Sequence, residues 1–426
     1  MSLKLLALGD LHLGRLPSRL PDELQDRARE MGPVGAWRRI VDAAIDERVD
    51  AIALAGDVVE DEYDFFEAYR ELAAGVERLL DANIRVLGVV GNHDVQVLPR
   101  LAEQIEGFEL LGRGGEWEQI TLVAGSERMT VHGWSFPQRV VRLSPLAEQW
   151  FDPGPGPNLG LLHCDCDQTG SAYAPVTTAE LQSASLDGWL LGHIHAPDLL
   201  SVEHPIGYLG SATGLDSGEP GPRGPWLVTV DGGRIVGIEH WPLAPLHWQR
   251  LPVDLTGIES PEDARDRLLA AVNNLDRDLS ARSIVPEAAG LRVQFTGRSD
   301  LRREVEALFA PEDLAALYVG NSRIHYFVES RRYDLAPTLD METLAQRGDP
   351  PGLLARRLQL LERASDDPER RALIKDAREH LATRGDKPYW RVLGDTTPDD
   401  ETVATWLREA GLTALDRLLA QQEAAE

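Results

Sequence analysis

The sequence predicts an α/β protein: a two-sheet sandwich flanked by helices, then a small α+β module, then a helical tail. Three observations lead there. Short apolar runs alternate with segments of helical periodicity near the amino terminus, which is the pattern of a largely parallel sheet with helices packed on it. Several of those runs break off abruptly in Gly followed by Asp, Asn or His. Beyond Met341 only helical periodicity remains.

Taken in order, Leu3 to Leu8 reads as a buried strand that ends in Gly9-Asp10-Leu11-His12. Ala36 to Arg48 places Trp37, Ile40, Val41, Ala44 and Ile45 on one helical face. Asp50 to Ala55 is a second strand, closed by Gly56-Asp57, and Phe65 to Leu80 a second amphipathic helix. Arg85 to Val90 is the third strand, stopped by Gly91-Asn92-His93-Asp94. Shorter strands follow at Gln119 to Val123, Met129 to Trp134, Leu159 to His163 and Gly188 to Leu191, the last ending in Gly192-His193-Ile194-His195. Ile206 to Gly210 and Trp226 to Val230 are expected to complete the second sheet. His247 to Leu255, a helix over Pro261 to Leu279, Leu291 to Thr296, Leu301 to Phe309 and Arg323 to Glu329 make the α+β module. Helices over Leu353 to Arg363, Pro368 to Thr383 and Glu401 to Leu419 form the tail. The expected domains are therefore 1–245, 246–340 and 341–426.

Composition bounds the function. The 426 residues carry 70 Asp plus Glu against 43 Lys plus Arg, a formal net charge of -27. Lysine occurs only at Lys4, Lys375 and Lys387, so the positive charge is nearly all arginine. Such a surface repels polyanions at long range and argues against nonspecific coating of nucleic acid, although metal ions in a cleft can reverse the local field. No apolar stretch reaches the length of a membrane span, and the amino terminus has no leader-like pattern, so the expectation is a cytoplasmic protein with no membrane contact. Cys164 and Cys166 are the only cysteines, too close in one extended segment for an ordinary disulfide, and are read as small packing residues.

The chemistry lies at the strand ends. Asp10 and His12, Asp57, Asn92 and His93, His163, and His193 and His195 all follow apolar strands. In extended chain the pairs Asp10/His12 and His193/His195 each present both side chains to one side. Histidine with carboxylate suits a borderline divalent ion such as manganese, iron or zinc. So many nitrogen and oxygen donors exceed what one such ion takes and suit two ions with a shared carboxylate. The isolated histidines His132, His204, His240, His247, His325 and His380 are read as ordinary core or loop residues.

Asp10-x-His12, Gly56-Asp57, Gly91-Asn92-His93-Asp94, His163 and Gly192-His193-x-His195 together resemble the signature of calcineurin-like metallophosphoesterases. Tyr208-Leu209-Gly210-Ser211 and Gly218-Glu219-Pro220-Gly221-Pro222-Arg223-Gly224 resemble loops of the SbcD-like DNA repair exonucleases, the nuclease partners of SbcC-type ATPases. The resemblance covers about the first 245 residues well; the α+β module resembles that family's capping domain more loosely. It implies a two-metal phosphodiesterase working on DNA with an SbcC-like ATPase, and is compatible with a homodimer. One ion would be held by Asp10, His12, Asp57 and His195, the other by Asp57, Asn92, His163 and His193. Mn2+ is the first choice, with Fe2+, Zn2+ or Mg2+ as alternatives. His93 would act as the non-ligand catalytic histidine, oriented by Asp94. Two rivals stand beside this reading: a phosphoesterase for a small or cyclic nucleotide or a phosphoprotein, and a non-catalytic scaffold that kept the fold. One departure is Glu60, where nuclease members often carry histidine; aimed inward, its carboxylate would repel a phosphate. Arg139, Arg142, Arg223, Arg331 and Arg332 are candidate contacts to a phosphate backbone, each alternatively a solvated arginine.

Overall fold

The computed structural model describes residues 2–168, 170–309, 319–320, 322–385 and 398–423. Parallel strands β1 (Leu3–Leu8), β2 (Ala51–Ala55), β3 (Arg85–Val89) and β4 (Phe108–Leu110) lie side by side in that order. Each of the first three is buried on both faces, and the alternation of residue size sorts the two sides. In β2, Ile52 and Leu54 pack toward the helices, while the small Ala51, Ala53 and Ala55 face the second sheet. The helices Pro33–Glu47 and Phe65–Asp81 cover the outer face. Gly75 lets them approach closely, since a Cβ there would collide with the indole of Trp37.

The second sheet has the order β5 (Glu118–Ala124), β6 (Glu127–Trp134), β7 (Asn158–His163), β8 (Gly188–Gly192) and β9 (Ile206–Tyr208). Strand β6 runs antiparallel to β5, and β6 to β9 are mutually parallel. One expectation is corrected here. Strand β10 (Trp226–Asp231) does not finish this sheet; it crosses back and pairs antiparallel with β1, with Leu5 opposite Val228, and β11 (Arg234–His240) pairs beyond it. Strand β1 would otherwise leave an unpaired apolar edge, and the fold covers it with the returning chain. Leu5 and Ala7 of β1, Val131, Leu159, Leu161 and Val228 meet in the core between the two sheets.

Strands β12 (Leu246–Asp254), β13 (Ala288–Arg298) and β14 (His325–Ala336) form a three-stranded sheet with the helix Pro261–Ser280. Leu246, Trp248, Ala288 and Phe327 pack on Leu20, Leu24 and Met31, and the buried Trp248 indole donates to the Gly214 carbonyl at 3.2 Å. By compactness the chain divides into Met1–Val253 with Glu262–Phe295 and Val305–Tyr333, and a second unit of Asp254–Pro261, Thr296–Glu304 and Asp334–Glu426. Within the second unit the helices Met341–Ala345, Pro350–Leu361, Pro368–Gly385 and Asp400–Glu423 bury Leu344, Leu358, Leu361, Ile374, Val403 and Leu415 among themselves. Among the described residues no helix is long and apolar enough to cross a membrane.

Candidate metal centre

The carboxyl ends of β1, β2 and β3 from one sheet, and of β7 and β8 from the other, converge on one place. Their loops are tied together through the backbone: His12 N–H donates to the Asp57 carbonyl at 2.9 Å and Leu13 N–H to that of Val58 at 2.9 Å. Four of the seven candidate ligands adopt the positive φ that non-glycine residues avoid, Asp10 at 46°, His12 at 51°, Asp57 at 49° and His193 at 102°. Such backbone costs about 1–3 kcal/mol per residue and persists where the surroundings enforce it, typically at sites. Gly91 is required for closeness, because a Cβ there would strike the Asp57 carboxylate.

Three groups of donor atoms result: one joins His12 with Glu60 and His93, and the other two consist wholly of sequence-predicted ligands. Atoms of Asp10, His12 and His195 lie within 4.8 Å of one another, as do atoms of Asp57, His163 and His193. In the first, the Nε2 atoms of His12 and His195 approach to 3.1 Å. In the second, His163 Nε2 lies 3.3 Å from Asp57 Oδ2 and 3.0 Å from Asn92 Oδ1. The remaining ring nitrogens are taken from behind. His12 Nδ1 is 2.6 Å from Glu60 Oε2, His195 Nδ1 is 2.5 Å from Glu219 Oε1, His193 Nε2 is 3.2 Å from Asp165 Oδ1, and His163 Nδ1 is 3.0 Å from the Ala55 carbonyl. Carboxylates and carbonyls behind imidazoles orient the rings and make them better donors, the usual backing of metal-binding histidines. Converging imidazole nitrogens with carboxylate and amide oxygens fit divalent cations.

The charges point the same way. Burial alone would depress His163, but the charge of Asp57 outweighs it and pushes the imidazole up to about 9. Burial would raise Asp57, yet His163 and His12 hold it below the usual carboxylate range. His12 is raised despite burial, by Glu60, Asp57 and Asp10. His193 is lowered, first by burial and then by the charge on His163. Asp57 thus acts on a histidine of each group, and the pocket calls for positive charge that bound cations would supply in place of protons.

Asn92 and His93 separate as neighbours on a turn must. Asn92 joins His163, whereas the His93 ring packs edge-on against His12 with centroids 5.3 Å apart. His93 Nδ1 is 3.3 Å from the Glu60 carbonyl and 3.9 Å from its Oε1, and the side chain is 33% exposed.

A family model described as calcineurin-like phosphoesterase matches residues 3–197, the stretch that holds all seven candidate ligands. The chain carries a calcineurin-like phosphoesterase domain. A second family model, the middle domain of metallophosphoesterase YhaO, matches residues 248–318. The chain is 29% identical to an uncharacterized metallophosphoesterase YhaO of Bacillus subtilis, over 56% of this chain and 59% of that protein. It is 30% identical to a DNA double-strand break repair protein Mre11 of Haloferax volcanii, over 61% of this chain and 56% of that one. It therefore spans less than two thirds of the length of these relatives. Among solved structures, the calcineurin-like phosphoesterase YfkN from Bacillus subtilis aligns over 55% of this chain and 88% of that one, at 14% identity and a TM-score of 0.34.

Within the phosphoesterase domain, two expectations change. Asp94 does not turn to His93: it is fully buried, and its two oxygens accept from Val58 N–H at 2.7 Å and Gly91 N–H at 2.8 Å, fastening the β3 loop to the β2 loop. Burial and the nearby Asp57 charge push its carboxyl up to about 7, against the pull of those two N–H groups. Glu60 is spent on His12 and His93, and its carboxylate, opposed by burial, is held low mainly by His12. The braces Asp165 and Glu219 are absent from the sequence-derived set. Asp165 could have been found as the residue two beyond His163 on the same side of extended chain, and Glu219 inside the glycine-proline loop already singled out. Of the candidate phosphate contacts, Arg223 is buried and donates to the His195 and Pro220 carbonyls, and Arg331 donates to the Phe309 carbonyl.

Proposed function

We propose that this metallophosphoesterase is a two-metal phosphodiesterase that cleaves DNA in a repair setting and works with an SbcC-type ATPase. The observation that supports the reading most is the two donor groups, Asp10 with His12 and His195 and Asp57 with His163 and His193, with the partly exposed His93 beside them. Asp10, His12, Asp57 and His195 would hold one ion, and Asp57, Asn92, His163 and His193 the other, with Mn2+ preferred. Held there, two such ions would supply polarisation of a phosphodiester, activation of water and stabilisation of the charge of in-line displacement. The protein's own part is to fix donors and to manage the leaving group. Glu219 accepts a hydrogen bond from His195, and Glu60 and Asp165 set a carboxylate beside His12 and His193. The Glu60 carbonyl accepts from His93 Nδ1–H, which leaves Nε2 as the ring nitrogen that, in the doubly protonated ring, would pass its proton to the departing oxygen and leave the neutral Nδ1–H tautomer behind. The DNA assignment draws on the Mre11 relatives, described as double-strand break repair proteins, and on the SbcD-like loops.

The test is incubation of the purified protein with manganese and a panel of labelled single-stranded DNA, duplex DNA, cyclic nucleotides and p-nitrophenyl esters. Manganese-dependent loss of DNA ahead of cyclic nucleotides is expected. Turnover of cyclic nucleotides alone would mean a small-molecule enzyme, and no turnover with any divalent ion would mean a scaffold.

A further inference from the structure

Two of the arginine candidates remain exposed and free of acidic partners. Arg139 and Arg142 sit in the segment Gln138–Leu143, which contains no acidic residue in a chain of net charge -27. Among the described residues no carboxylate lies within ion-pair distance of either guanidinium. The segment lines an open groove of about 570 Å³ and also exposes Val140 and Leu143, the latter at 80%. A second groove, beside Trp37, is also rich in arginine but is neutralised. Glu71 takes Arg38 and Arg70 there, and Asp42 takes Arg78.

The free arginines are anchored next to the metal centre. Val141 pairs in parallel with Tyr173: its N–H donates to the Ala172 carbonyl at 2.8 Å, and its carbonyl accepts from Ala174 N–H at 2.8 Å. The Tyr173 ring lies 5.1 Å from that of His193, and the Tyr173 carbonyl accepts from the backbone of Asp165, the brace of His193, at 2.9 Å. Gln138 closes the bend by donating to the Val140 carbonyl at 3.0 Å. The segment is thus a fixed strap one backbone pairing away from a candidate ligand.

We infer that Gln138–Leu143 is a docking strap for a single DNA strand that leaves the metal centre on its His193 side. Arg139 and Arg142 meet backbone phosphates, while Val140 and Leu143 lie against sugar and base. Charge complementarity selects the occupant: an acidic protein that keeps two unpaired cations beside an anion-cleaving site presents them to a polyanion. Hydrolysis of a small ester calls on the centre alone, so the strap matters to a strand and not to the ester. The inference rests on the DNA reading proposed above and adds which surface holds the strand.

The experiment compares wild type with the double variant Arg139→Gln/Arg142→Gln. It measures affinity for a labelled single-stranded phosphorothioate oligonucleotide across a salt series, and hydrolysis of bis-p-nitrophenyl phosphate. The variant is expected to bind the oligonucleotide about 10-fold more weakly at low salt. The slope of log affinity against log salt should become shallower by about 1.4, roughly 0.7 for each lost single-strand contact, with ester hydrolysis unchanged. Unaltered oligonucleotide affinity and slope would overturn the strap while leaving the DNA reading standing. Equal losses on ester and oligonucleotide would overturn it by showing that the arginines support the centre itself. A wild type that hydrolyses the ester but binds no oligonucleotide would remove the DNA reading, and the strap with it.

Discussion

At His93 and Asn92, adjacent residues serve different purposes, since one reaches His163 and the other packs on His12. His93→Asn should therefore keep its metal content and melting temperature while DNA turnover falls on the order of 100-fold, the usual worth of a positioned acid. An ester of p-nitrophenol, whose leaving group needs little protonation, should lose much less; equal losses would assign His93 to charge stabilisation instead. The braces have a separate signature. Glu219→Gln should weaken metal binding by about 10- to 100-fold, the typical cost of removing a group behind a metal-binding histidine. Calorimetric titration with manganese checks it, and an unchanged affinity would mean that Glu219 only shapes its loop. The ligand candidates were legible because each interrupts an apolar strand. Their braces were harder to see: Glu60 stood out only as a departure from the resembled family, and Asp165 and Glu219 only by spacing and loop, among 70 acidic residues.

At the scale of elements, the parallel strands β1 to β3 could be read from the sequence because their burial on both faces writes a continuous apolar run. The place of β10 could not be read, because a strand's composition does not say which sheet edge is vacant. Two buried histidines near the end of the returning chain have a consequence in acid. Burial, aided by the Arg282 charge, lowers His240 of β11 and His247 of β12 to about 4. Both are neutral in the fold, so the unfolded chain takes up protons first as the pH falls below the ordinary value of about 6.5. The stability that these neutral histidines contribute is present above that value and is lost as the pH drops toward 4. Urea unfolding at pH 7 and pH 5 should show wild type losing about 2 kcal/mol more than His240→Phe/His247→Phe, taking about 1.4 kcal/mol for each tenfold change in proton affinity and allowing for partial exposure. Phenylalanine preserves the ring stacked 4.6 Å from Trp226. Equal losses in both proteins would contradict the assignment.

For the whole molecule, the sequence showed a helical tail but not which of its apolar residues face each other. Leu358, Leu361, Val403 and Leu415 are consumed inside the second unit, whereas Leu353 and Trp406 are about half exposed. If this unit docks the ATPase, Leu353→Glu/Trp406→Glu should abolish capture of an SbcC-like partner and leave small-ester hydrolysis unchanged; retained capture would refute that role. In the proposed centre Asp57 from one sheet and His163 and His193 from the other hold ions together. Elemental analysis of purified wild type, His12→Ala and Asp57→Asn tests it most directly. Wild type should hold about two ions per chain, His12→Ala should lose ions from one site only, and Asp57→Asn should be depleted of both. Two ions retained in Asp57→Asn would contradict it.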